Sequence, residues 1–397
     1  MLSREENERL TRVGPGTPGG ELLRRYWHPV ALARDLTEES PTKFLRILGE
    51  DLVLFPDKQG RVGLVEDRCA HRGASLVYGR VEERGIACAY HGWLYDTAGN
   101  CLETPPEPAE SRFRHTVKLK AYPVQKFLGL YWAYMGPSPA PVIPKYDVWA
   151  RTDGRHWIRL LPRLDCNWFQ AMENSADTSH LHILHADFLH RGEGEWNTTR
   201  GTIDELEQYE FTELPYGIMK TRTFKDGTIE EHPLIFPNLL RQSNRTQIRV
   251  PIDDTHTWVL YVHFVPSEDG SVIEDEGEVP VEIRGPSKDP PDALYPFTKY
   301  LMNTVDAQDF MAWETQGPIT DRTREHLTTS DRGVVMLREM FKRELENLKA
   351  GRDPMNVIRD PDHAIIDTKF AESIENKHVG SVVFHIPQDR LKPLADD

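Results

Sequence analysis

The sequence predicts an α+β protein of two domains: a small antiparallel all-β domain, then a larger domain of antiparallel strands flanked by helices. Three observations carry this. Between residues 44 and 135, short alternating runs follow one another with Gly- and Asp-containing turns between them. The next stretch holds Gly136, Pro137, Pro139, Pro141 and Pro144, a composition that marks a boundary. Beyond it strand-like and helical periods alternate, and 397 residues are enough for two cores of ordinary size.

Taken in order, Ser3 followed by Glu6 has the pattern of a capping box opening a short helix. Residues 1–40 read as a mostly helical or irregular N-terminal segment, leading through Tyr26-Trp27-His28-Pro29 into the β domain at 41–140. Strands are expected at 44–48, 52–55, 63–66, 86–90, 116–121 and 128–135, with turns at 57–60 and 96–100. The second domain is expected over 145–397. Its pattern predicts strands at 157–164, 217–224, 247–251 and 257–265, and helices at 167–184, 296–313 and 333–350. A charged loop rich in Gly and Pro covers 267–292. In the last helix Val334, Leu337, Phe341, Leu345 and Leu348 recur at helical spacing and read as packing surface.

A formal net charge of −15 argues against nucleic acid as a partner, since phosphate neutralisation needs clustered Lys and Arg. No run approaches the roughly 18–20 apolar residues of a membrane span. The N-terminus has no apolar signal-peptide core, and four cysteines are too few for a disulfide scaffold. The chain reads as cytoplasmic, with Cys101 and Cys166 as small semi-buried hydrophobes.

Two motifs carry chemistry. Cys69-Ala70-His71 and Cys88-Ala89-Tyr90-His91 place two thiols and two imidazoles on neighbouring loops. Such a set can hold a structural zinc or a [2Fe–2S] cluster in which histidines replace two cysteines on one iron. The second motif packs Asp177, His180, His182 and His185 into nine residues. Two histidines and a carboxylate can bind a non-haem Fe(II) on one side and leave positions open for O2 and substrate. His182 and His185, three apart, share a helical face. His180 and His185, five apart, meet only if the helix ends or bulges between them.

The runs Cys69-Ala70-His71-Arg72-Gly73-Ala74-Ser75-Leu76 and Cys88-Ala89-Tyr90-His91-Gly92-Trp93-Leu94-Tyr95 resemble the two ligand loops of Rieske proteins almost position for position. The segment from Glu173 to His185 resembles the mononuclear-iron motif of Rieske non-haem iron oxygenases. The run Asp306-Ala307-Gln308-Asp309 through Asp321-Arg322 is similar to their carboxylate helix. The resemblance implies a Rieske [2Fe–2S] cluster on Cys69, His71, Cys88 and His91, and a mononuclear Fe(II) on His180, His185 and Asp309. It makes the larger domain a helix-grip, START-like fold. His182 then takes a packed role, His190 a surface or pocket-rim role, Asp306 is the competing carboxylate, and Asp321 makes a cap or ion pair. Asp177 is implied to hydrogen-bond a ligating histidine and, across a subunit boundary, the Rieske His91 of a neighbour.

Within the family, Arg12-Val13-Gly14-Pro15-Gly16-Thr17-Pro18, Ala133-Tyr134-Met135-Gly136-Pro137, residues 250–257 and 317–322 look closest to the phthalate dioxygenase group. That likeness implies a homotrimer of this one subunit, stacking or not into a hexamer. It also implies a reductase carrying flavin and a ferredoxin-type cluster, so that NADH acts only through that partner. The expected reaction uses O2 to hydroxylate or O-demethylate an aromatic compound, with a carboxylated, lignin-derived methoxylated biphenyl as the preferred substrate class. Ring dihydroxylation of the phthalate type is the alternative, and a non-catalytic Rieske electron carrier is the rival of another class. Asn167, Phe169, Gln170, Glu173, Asn174 and Trp313 are candidates near the iron. Arg200, Arg222, Arg241 and Arg249 are candidates to pair a substrate carboxylate.

Overall fold

The computed structural model describes residues 1–108, 110–185, 203–273, 277–291 and 298–368. The chain forms two compact units. One is Val13–Pro141; the other joins Met1–Arg12 to Val142–Asp397. The chain passes from one to the other inside the proline-rich stretch. The N-terminal segment expected over 1–40 is divided at Arg12. Its helix, Arg4–Thr11, is opened by the Ser3–Glu6 capping box and belongs to the larger unit. Trp27–Leu32 is a strand of the smaller unit, paired antiparallel to Leu130–Tyr134.

The smaller unit is all-β. One sheet orders Lys43–Ile47, Glu50–Pro56, Val62–Glu66 and Ala121–Tyr122; another orders Arg80–Glu82, Gly85–Ala87, Leu94–Tyr95 and Cys101–Glu103. Val53, Phe55, Val65, Ile86 and Trp93 pack with Cys69 and Cys88 in a single core, so the two thiols are anchored by the same apolar burial that holds the domain. The strand expected at 116–121 is instead a short 3-10 turn, Phe113–Thr116, followed by a two-residue strand at Ala121–Tyr122. The stretch keeps the expected alternation, with Leu119 buried between exposed Lys118 and Lys120, but it pairs only through an isolated bridge of Lys118 with Asn100.

The larger unit is built on one eight-stranded sheet. Its order is Leu206–Leu214, Gly217–Phe224, Ile229–Ile235, Leu239–Gln242, Arg245–Asp253, His256–Pro266, Gly154–Leu160 and Val281–Ile283. Seven strands run antiparallel, and the last pairs parallel to Gly154–Leu160 at the edge. The last strand and another, Lys288–Asp289, lie in the stretch expected to be loop. Helices Trp168–Ala176, Val305–Glu314 and Arg332–Lys349 cover the sheet. Trp168, Phe169 and Phe236 meet around Phe341. Val334, Leu337, Phe341 and Leu345 are buried, as their spacing demands. No helix among the described residues is long and apolar enough to cross a membrane.

Two helices differ from expectation. The one expected at 167–184 stops at Ala176, because Asp177 takes an extended conformation and its carboxylate captures the Ser179 N–H at 2.7 Å. The one expected at 296–313 begins only at Val305, where the Thr304 hydroxyl accepts the Ala307 N–H.

Candidate metal centres and active site

Both ligand loops of the smaller unit use the same turn. The N–H of Gly73 returns to the Cys69 carbonyl at 2.8 Å, and that of Gly92 to the Cys88 carbonyl at 2.9 Å. Each glycine has a positive φ, +73° and +75°, which a side chain would disfavour. The turns put Cys69 and Cys88 inside, each 2% exposed, and leave His71 and His91 partly exposed at the surface. The two imidazoles meet edge to face at 4.5 Å between centroids, and His71 stacks on Trp93 at 4.6 Å. Burial pushes the Cys69 thiol up despite a 3.3 Å hydrogen bond with Tyr95 Oη.

Spacing decides between zinc and a cluster. Among the described residues, His180, His185 and Asp309 form the one group of three or more His, Cys, Asp or Glu whose donor atoms lie within 4.8 Å of one another. No three of Cys69, His71, Cys88 and His91 gather so closely. A single tetrahedral zinc needs its donors about 3.3–3.8 Å apart, from bond lengths of about 2.0–2.3 Å. Two buried thiols on one side and two outer imidazoles on the other fit a two-iron cluster. Cys101 and Cys166 are buried, and burial raises their thiols to about 11 and about 12, so neither is disposed to ionise.

In the larger unit the early end of helix Trp168–Ala176 makes the second centre. Asn167 caps that helix through the Phe169 N–H at 3.0 Å. After Ala176 the chain turns at Asp177, forms a 3-10 turn at His180–His182, and folds back as the His180 carbonyl accepts from Leu184 at 2.7 Å. That return brings the rings of His180 and His185 to 5.3 Å. The Nε2 atoms of both face Asp309 Oδ1, at 3.8 Å from His180 and 3.2 Å from His185.

Each histidine is held from behind by its Nδ1. Asp177 Oδ2 lies 3.1 Å from His180 Nδ1, and Gln308 Oε1 lies 2.7 Å from His185 Nδ1. An N–H on Nδ1 leaves the Nε2 lone pair for a metal, the arrangement by which outer partners orient ligating imidazoles. Asn174 Nδ2 donates to Asp309 Oδ1 at 3.3 Å. Burial works to raise the Asp309 carboxyl, but the hydrogen bond and charge of His185 hold it below its usual value. Burial likewise opposes ionisation of Asp177, and His180 outweighs it. His185 is raised overall, because Asp309 overcomes the burial that would lower it. The same attraction for positive charge suits a divalent cation.

The other candidates fall elsewhere. His182 is buried and meets the Phe224 ring edge to face at 5.8 Å, outside the donor group. Asp306 accepts the Tyr261 hydroxyl at 2.6 Å, and burial raises its carboxyl. Asp321 caps Thr323. His190 and Arg200 lie outside the described residues. Most of the ligand helix's polar face is structural rather than free to line a pocket. Asn167 Nδ2 binds the carbonyls of Thr11 and Asp254. Gln170 ties Trp313, Gly317 and Thr320, and Glu173 is clamped by Arg322 and Arg338. Phe169 is fully buried against Phe341. Gln308, which sequence reasoning missed, was signalled only by its place beside Asp309.

Residues 26–123 match the model of the Rieske [2Fe-2S] domain. The chain is 40% identical over 373 residues to the 5,5'-dehydrodivanillate O-demethylase oxygenase subunit of Sphingobium sp., covering 91% of this chain and 84% of that protein. It is 33% identical to the phthalate 4,5-dioxygenase oxygenase subunit of Pseudomonas putida, covering 88% of each. Among solved structures, the terminal oxygenase of carbazole 1,9a-dioxygenase from Nocardioides aromaticivorans superposes with a TM-score of 0.57 at 19% identity, over 86% of this chain and 97% of that one. That likeness speaks for the fold. Identity over about nine-tenths of the chain, together with the Rieske domain match, makes the chain an oxygenase (α) subunit of the Rieske non-haem iron oxygenases, in their phthalate dioxygenase-like group.

Proposed function

We propose that this subunit is the terminal oxygenase of an O-demethylase acting on a carboxylated, methoxylated aromatic compound of the lignin-derived biphenyl class. The identity with the dehydrodivanillate enzyme supports the substrate class. The observation that carries the chemistry is the convergence of two Nε2 atoms on Asp309 while both Nδ1 atoms are held from behind. In this reading Cys69, His71, Cys88 and His91 hold the Rieske cluster, and His180, His185 and Asp309 hold the mononuclear iron. Bound there, the cluster supplies single electrons and the iron supplies O2 activation.

The chain's own residues supply orientation. Asp177 fixes the tautomer and angle of His180, Gln308 does the same for His185, and Asn174 steadies the Asp309 carboxylate. Three donors on one side leave the other side for substrate. In this reading Asp177 also stands at the boundary of a homotrimer, facing His91 of the neighbouring subunit. The electron donor is a reductase with flavin and a ferredoxin-type cluster.

A hydroxylated methoxy carbon is a hemiacetal, which collapses to a phenol and formaldehyde. Incubating the enzyme, a reductase and NADH with methoxybenzoates, phthalates and methoxylated biphenyl carboxylates therefore tests the reaction. Formaldehyde with the matching phenol is expected. A diol without formaldehyde would replace this reading with ring dihydroxylation, the activity named for the Pseudomonas putida relative.

A further inference from the structure

The sheet of the larger unit buries an unusual number of cations. Lys220, Arg159, Arg222, Arg241, Arg245 and Arg249 are each less than 5% exposed. Buried charge must be paired or it destabilises the fold, so the partners are informative. Arg159 pairs with Glu282 and Arg222 with Glu230, while Arg241 pairs with Asp147. Arg245 donates to Gln242, and Lys220 to the Ser175 carbonyl at the end of the ligand helix. Arg249 is the exception. It is 1% exposed, and its Nε and Nη1 meet no acceptor among the described residues.

Its place in the fold is equally specific. Strand alternation puts Arg245, Gln247 and Arg249 on one face with their partners His263, Tyr261 and Val259. Tyr261 on that face bonds Asp306, so the face is turned toward the helix that carries Asp309. The Arg249 guanidinium lies over the Trp313 ring, 5.9 Å from its centroid, and Asp309 is among the charges acting on it. The Trp313 Nε1–H is a second buried donor without an acceptor. Among the described residues nothing accepts from either of these two buried donor groups, one of them cationic.

We propose that Arg249 and the Trp313 indole N–H form the carboxylate-binding subsite of the substrate pocket, holding an aromatic acid by its anionic end. This rests on the oxygenase reading above and names the residues that would select its substrate class. A carboxylate matches a guanidinium in shape and charge, and it can accept from the indole as well. Trp313 follows Asp309 by four residues on one helix, about 6 Å along the axis. In this proposal a benzoate held at Arg249 lies along that helix, with its ring toward His180, His185 and Asp309.

The test is equilibrium binding of 3-methoxybenzoate and its uncharged analogue 3-methoxybenzamide to the iron-loaded enzyme, by calorimetry. Wild type should prefer the acid by about 10–100-fold, the range of a charge-assisted hydrogen bond. Arg249→Met should bring the two affinities within about threefold of each other, the acid losing far more than the amide, with the cluster's visible spectrum unchanged. Arg249→Lys should keep part of the preference, and Trp313→Phe should lower it. Retention of the full preference in Arg249→Met would overturn the subsite, as would wild type binding acid and amide alike. If Arg249→Met fails to fold, the lysine and phenylalanine variants decide the matter by the same ratio. Product analysis separates this from the reaction itself. Equal demethylation of acid and amide removes the subsite and leaves the oxygenase. Arg249-dependent binding without formaldehyde leaves the subsite and removes the demethylase.

Discussion

His180 and His185 share a metal centre although no helix could present both. Asp177 is the reason: by ending the helix it frees the following residues to turn back, and by bonding His180 Nδ1 it aims what it has freed. The two carboxylates of the site therefore have different expected phenotypes. Asp309→Ala removes a donor, so iron should fall from about three to about two atoms per chain with the visible cluster spectrum intact. Asp177→Asn keeps every donor, so metal content should be retained while product formation is nearly abolished; full coupled turnover would remove Asp177 from its bridging role. Gln308→Leu should lie between, weakening mononuclear iron by about 10–100-fold, the usual cost of losing an outer partner of a ligating histidine. Iron analysis and product assay on the three variants distinguish these outcomes. Much of this site was legible in the sequence because its donors are chemically rare and clustered. The choice of His180 over His182 was not legible from spacing, since it depends on where the helix stops. Gln308 was invisible because its partner His185 is 123 residues away in the chain.

At the scale of elements, the position of the ligand helix is set by what packs on its C-terminal end. Gly333, in the first turn of Arg332–Lys349, lies so close to Ala176 that an added Cβ would collide with the Ala176 carbonyl oxygen and with the Phe211 ring. The residue following that carbonyl is Asp177. Gly333→Ala should therefore do more than destabilise the fold by about 1–3 kcal/mol, the range for overpacking a dense core. It should displace the Asp177 turn and lower turnover while the Rieske spectrum, which belongs to the other unit, stays unchanged. Thermal melting with parallel activity and visible spectra checks this, and unchanged turnover at a lowered melting temperature would confine Gly333 to stability. A second anchor is Glu173, held by Arg322 and Arg338, the latter also paired with Glu325. Elements like Arg332–Lys349 were readable because their apolar stripe is strictly periodic. The starts and stops at Asp177 and Thr304 were not, because there a side-chain oxygen competes with the backbone for one N–H.

For the whole molecule, the question is whether the two centres that serve one reaction lie on one chain or on two. The cluster site and the mononuclear site belong to separate compact units, so the chain can be divided by function without dismantling either site. His91→Ala should spoil the cluster and leave His180, His185 and Asp309 intact; Asp309→Ala should do the reverse. Alone, each should be inactive. Co-expressed in equal amounts and purified as mixed assemblies, they should recover about a quarter of wild-type turnover. In a ring with head-to-tail contacts, an intact cluster then precedes an intact iron at about one boundary in four. Transfer confined within one chain predicts none, since neither variant holds both centres. Recovery near a quarter would assign the working unit to a pair of neighbouring subunits. Its absence, in assemblies shown by mass spectrometry to contain both variants, would return the whole reaction to a single chain and remove the intersubunit role of Asp177 with it.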